Sequence, residues 1–209
     1  MSVHQFRFKE SETANEEPPR IGDRAIDNLR FIRETMERAS VSFTAVPGYG
    51  GALMGATAIG ASIVAANQTN TKFWLITWMA EALLASAIGF LAMWQKARSA
   101  QSSLLSAPAR KFAFGFAPPI FAGMVLTILL HKIDQDAVLP IVWLLLYGAA
   151  IVTGGMFSVK PVPMMGVCFL GLGLIAAFAP LEYGNLLMGL GFGVMQIIFG
   201  IVIGRKHGG

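Results

Sequence analysis

Cysteine is nearly absent: Cys168 stands alone among 209 residues, which excludes an intramolecular disulfide and a zinc site built on thiolates. It reads as a small packing residue. Only three histidines occur, and they form no haem-type pair across apolar segments. There is no Gly-x-Ser-x-Gly and no pair of catalytic carboxylates, so hydrolase and oxidoreductase chemistry lack support. The chain is expected not to be an enzyme and to need no cofactor. Residues 1–17 lack the apolar stretch of a cleavable signal peptide, so the first span is expected to direct insertion.

Charge is scarce as well. Charged residues make up 13% of the chain, against roughly 25% in an ordinary soluble domain, while hydrophobic residues reach 55%. Six long apolar runs, at about 48–67, 73–94, 112–130, 138–157, 162–181 and 186–204, hold no lysine or arginine and one carboxylate, Glu81. A helix of ~20 residues rises ~30 Å, the thickness of the bilayer's hydrocarbon core. Without water to satisfy backbone groups, such runs cross as helices. The expected fold is all-α: a polytopic transmembrane bundle of six helices, 48–204, preceded by a cytoplasmic amphipathic helix.

The net charge of +4 follows topology rather than nucleic-acid binding, which is not expected. Of 16 Lys and Arg, 14 fall in the N-terminal tail, the segment 95–111, at Lys160 or at the C-terminus, leaving Lys72 and Lys132 for the other side. Cytoplasmic loops collect such residues, which predicts both termini in the cytoplasm. Trp74 and Tyr183 would anchor the outer boundary, Tyr49 and Trp94 the inner one.

Residues 1–22 are expected to be a disordered tail, being too polar to bury a core. From 23 to 40, Ala25, Ile26, Leu29, Ile32, Met36 and Ala39 recur at helical spacing, with oppositely charged pairs at i, i+4. Ile26, Leu29, Ile32 and Met36 form a stripe that could lie on the bilayer or dock a cytoplasmic protein partner or a second copy. Near-balanced charge weakens lipid electrostatics and favours protein contact.

Thr44-Ala-Val-Pro-Gly-Tyr-Gly-Gly51 superficially matches a potassium-channel filter, but the preceding helix is charged and Pro47 interrupts the match. Pro47, Gly48, Gly50 and Gly51 read instead as a turn into the membrane. Gly51, Gly55, Gly60, Gly189, Gly193, Gly200 and Gly204 supply small residues at close helix contacts, chiefly between the first and sixth spans. Pro118 and Pro119 should kink or break the third span, since two donors are lost and Ala117 is pushed from helical dihedrals.

Glu81 is the strongest candidate for function. It falls ~12 Å deep by residue count, where an ionised carboxylate costs at least ~2.5 kcal/mol and the neutral form is favoured. Tyr147, Gln196 and Thr57 fall at comparable depth, and Trp78 lies one turn from Glu81. These five are expected to converge as a ligand or proton site, against the plainer alternative of a polar contact joining helices. His131, Asp134 and Asp136 resemble a metal set but lack a fourth ligand, so no metal is expected.

Around Asn28-Leu-Arg-Phe-Ile-Arg-Glu-Thr-Met-Glu-Arg38, Phe43-Thr-Ala-Val-Pro-Gly48, Lys111-Phe-Ala-Phe-Gly-Phe-Ala-Pro-Pro119 and Arg205-Lys-His-Gly-Gly209, the chain resembles an uncharacterised family of small bacterial multi-span membrane proteins. The resemblance runs from about residue 25 to the end. It implies a bacterial inner-membrane location and no chemistry. Two functional classes remain: a membrane-embedded regulator whose N-terminal helix contacts a cytoplasmic partner, narrowly preferred, and a small proton-coupled transporter or channel using Glu81.

Overall fold

The structure, a computed structural model, describes residues 26, 28–32, 48–99, 107–156 and 158–207. Met1–Glu37 and Arg38–Gly209 form separate compact units. In the first, residues 26 and 28–32 are helical, with Ile26, Leu29 and Ile32 exposed. The tail 1–22, Met36 and the rest of 23–40 lie outside the described residues.

The described residues of the second unit form six successive long helices. They are α1 (Gly48–Ala66), α2 (Thr71–Ser99), α3 (Ala107–Lys132), α4 (Leu139–Gly155), α5 (Pro161–Phe178) and α6, which comprises Gly184–Met188, Gly189–Met195 and Gln196–His207. The middle segment of α6 is π-helical. All six are long and apolar enough to cross a membrane, and no strand occurs among the described residues. Large apolar side chains face outward, among them Leu83, Phe114 and Phe178. In water so much exposed apolar surface would drive association, whereas lipid solvates it. The chain is a multi-pass helical membrane protein.

Local chemistry sets the helix ends. Asn70 Oδ1 accepts the Lys72 backbone N–H at 2.9 Å and caps the start of α2. Pro161 opens α5, where a missing N–H costs nothing. Ala179, preceding Pro180, turns extended at φ −79° and ψ 157°, and α5 stops there. After α3, the Gln135 N–H reaches the Leu130 carbonyl and the Asp134 N–H that of His131. Asp134 itself is left-handed at φ 56°, which completes a Schellman cap.

Two expectations change. Gly48, Gly50 and Gly51 are not a turn: they belong to the first turns of α1, with Gly48 and Gly51 buried. Pro47 lies outside the described residues. Likewise, Pro118 and Pro119 do not break the third helix, since α3 continues through both.

The helices pack as two groups of three. α1 contacts α2 and α6, whereas α4 contacts α3 and α5; α6 joins the groups through α4 and α5. Between α1 and α6 the backbones nearly touch. A Cβ on Gly55 would stand 2.6 Å from the Gly193 carbonyl oxygen, and one on Gly200 would be 2.7 Å from the Gly48 carbonyl oxygen. Gly204 and Gly48 are likewise adjacent, so α1 begins beside the end of α6. Gly60 is the exception to the expected set: nothing lies within 4 Å of its Cβ position, so it takes no part in this contact. An equally close approach, not anticipated, joins Gly148 of α4 to Gly166 of α5. Leu144, Ile151, Val162, Met165 and Phe169 form the core around it, where α6 adds Ile203.

Candidate functional site

Glu81 points inward from α2 and is 7% exposed. Its Oε1 lies 2.8 Å from Thr57 Oγ1 on α1. Thr57 Oγ1 also lies 2.8 Å from the Met54 carbonyl oxygen of its own helix. A hydroxyl has one proton, so it cannot donate fully to both. With Glu81 ionised, Thr57 donates to the carboxylate. With Glu81 protonated, the acid donates to Thr57, which then donates to Met54. The same geometry serves both states.

Gln196 and Tyr147 form the second polar pair. Gln196 opens the last segment of α6 and is 4% exposed, and its Nε2 donates to the Tyr147 hydroxyl of α4 at 3.1 Å. Its Oε1 is fully buried with no hydrogen-bond partner among the described residues. Reversing the amide only exchanges the problem: Tyr147 would then donate to Oε1 and the NH₂ would be orphaned. Such a group costs roughly 1–3 kcal/mol.

Four of the five expected residues therefore meet as two pairs rather than one cluster, and Trp78 belongs to neither. Among the described residues no hydrogen bond joins Glu81 and Thr57 to Tyr147 and Gln196. An aromatic ladder runs between them. Phe192, in the π-helical segment one turn before Gln196, has its ring 6.3 Å from Trp78 and 4.9 Å from Tyr147, centroid to centroid. Phe169 packs 4.9 Å from Tyr147 and 5.2 Å from Phe192, while Phe116 meets Tyr147 edge-on at 6.0 Å. The π-helical turn presents Phe192 and Gln196 together at the seam between the helix groups.

Trp78 has a role that residue spacing did not reveal. Its indole N–H donates to Asn185 Oδ1 at 3.0 Å, and that of Trp74 donates to the same atom at 3.1 Å. Asn185 Nδ2 in turn donates to the Ser62 carbonyl at 3.0 Å. One amide of α6 thus ties α1 and α2, and Trp74 directs its N–H into the bundle. The signal was available in Trp74 and Trp78 at i, i+4 on one helix face, level with an amide near the start of the last span.

The polar motif of His131, Asp134 and Asp136 resolves into a turn. His131 Nδ1 lies 3.0 and 3.1 Å from the two carboxylate oxygens of buried Asp136, while Asp134 serves the Schellman cap. Among the described residues no group of three His, Cys, Asp or Glu could hold a metal.

Compared with known proteins, the chain matches no family model, no curated protein and no solved structure.

Proposed function

We propose that this is a protein of the bacterial inner membrane, with both ends cytoplasmic, that works as a small proton-coupled transporter. Glu81 carries the proton, and the Tyr147–Gln196 pair meets the solute. The observation that carries this reading is the Thr57–Glu81 contact: a buried carboxyl whose side-chain partner accommodates it with or without a proton. Intramembrane carboxylates in such settings mark proton paths. The two helix groups, joined by α6, supply a seam at which one group could move against the other, as transporter halves do. The concentration of Lys and Arg in the tail, near Lys160 and at the C-terminus supports the orientation.

The test uses proteoliposomes with a trapped pH dye. An imposed pH gradient should dissipate faster with the wild type than with Glu81→Gln, which retains a hydrogen bond to Thr57 and should unfold at a similar temperature. Equal rates would sink the reading, and a loss of stability alone would make Glu81 a helix-joining contact.

The regulator reading rests on a different observation, the exposure of Ile26, Leu29 and Ile32 on a helical segment. In that case deleting residues 1–40 abolishes signalling, whereas the transporter keeps its proton flux without them.

A further inference from the structure

We propose that the Tyr147–Gln196 pair binds a small uncharged solute that both donates and accepts a hydrogen bond, of the primary-amide or hydroxyl class. This deepens the solute site named above and rests on that reading. Gln196 Oε1 is buried with no donor facing it among the described residues. The Tyr147 hydroxyl accepts from Gln196 Nε2, so its own proton remains to be given. The pair therefore offers one acceptor and one donor side by side, which is the complement of an amide or an alcohol. Reversing the Gln196 amide leaves two N–H donors instead, which an amide or hydroxyl oxygen also meets.

The pair supplies no charge to hold an ion. Neither residue carries a charge at neutral pH, and Phe116, Phe169 and Phe192 wall Tyr147 with rings. An anion or cation entering here would shed its hydration without a fixed opposite charge to replace it. A neutral solute loses only hydrogen bonds that the pair restores. The π-helical turn adds to the case, because such insertions recur at functional sites and this one ends at Gln196.

The experiment uses full-length protein in nanodiscs, with acetamide and glycerol as neutral probes and acetate and methylammonium as charged ones. Binding is followed at constant temperature by tryptophan emission, since Trp78 packs on Phe192 beside the pair. Acetamide should change the emission saturably, with half-saturation on the order of millimolar for so few atoms. Tyr147→Phe and Gln196→Leu should weaken that response about tenfold or more, at one lost hydrogen bond or more each. If Gln196→Leu fails to fold, Tyr147→Phe decides, since it removes one oxygen only. The proposal is overturned if neither neutral probe acts saturably, if a charged probe matches acetamide, or if Tyr147→Phe responds as wild type. If acetamide fails to bind while Glu81→Gln still slows dissipation of the pH gradient, the solute class is wrong and proton carriage by Glu81 stands. Failure of proton coupling leaves acetamide binding intact.

Discussion

Thr153 of α4 places its hydroxyl oxygen 2.7 Å from the Gly115 carbonyl of α3, the carbonyl that Pro119 leaves without its helical donor. A proline has no N–H for the residue four positions earlier, and in lipid no water replaces it. Gly115 and Gly154 let the two backbones come close enough for the bond: a Cβ on Gly115 would sit 2.9 Å from Gly154 Cα. The carbonyl opened at Pro119 thus has a donor within reach, which the Ala149 carbonyl of α4, 2.8 Å from the same hydroxyl, shares.

Thr153→Val keeps the shape and removes the donor. It should destabilise the bundle by about 1–2 kcal/mol, while Thr153→Ser should retain most of the stability. Unfolding in mixed detergent micelles measures both. Equal stability of the valine and serine variants would mean that the Gly115 carbonyl is satisfied in another way.

Close helix approach makes the glycine contacts unequal. In Gly55→Ala the new methyl meets the Gly193 carbonyl, and in Gly166→Ala it meets the Gly148 carbonyl at 2.8 Å. Backbone cannot step aside as a side chain does, so each should cost roughly 1–3 kcal/mol. Gly60→Ala meets nothing and should change stability by less than about 0.5 kcal/mol. A comparable loss at Gly60 would refute the packing account.

Asn185→Ala removes the acceptor of two indoles and the donor to Ser62. Bonds between helices in lipid average about 0.6 kcal/mol, so the three should together cost on the order of 1–2 kcal/mol. Tryptophan emission should also shift as Trp74 and Trp78 lose their fixed partner. An unchanged spectrum would show that neither indole depends on Asn185.

Apolar length made the six helices legible, because a run that fills the hydrocarbon core has few other ways to fold. Counting depth along the spans also placed Glu81, Thr57, Tyr147 and Gln196 at comparable depth. What it could not give was rotation about each helix axis, and that decides who touches whom: Phe192 intervenes, so four polar groups meet as two pairs. Gly60 fails for the same reason, being spaced correctly but facing away. The π-helical turn was hidden because its glycines and apolar side chains suit an ordinary helix equally well. Thr153 was missed because a hydroxyl in an apolar run looks idle until a proline on a neighbour leaves a carbonyl open.

Membrane orientation offers the sharpest test of the proposal as a whole. Gly48 against Gly204 sets the start of α1 and the end of α6 on one face, so the described turns alternate between two sides. Asn67, Ile133 and Glu182 are exposed in the turns of one side, and Lys160 and Arg205 are exposed on the other. The second side carries the basic excess, so the proposal puts it in the cytoplasm. In a Cys168→Ser background, Asn67→Cys, Ile133→Cys and Glu182→Cys should react with an impermeant maleimide in intact spheroplasts. Lys160→Cys and Arg205→Cys should react only after permeabilisation. The reverse pattern would invert the protein and remove the cytoplasmic placement of its ends. A mixed pattern within the first set would contradict the six crossings, because these three turns share a face only if every helix between them spans the bilayer.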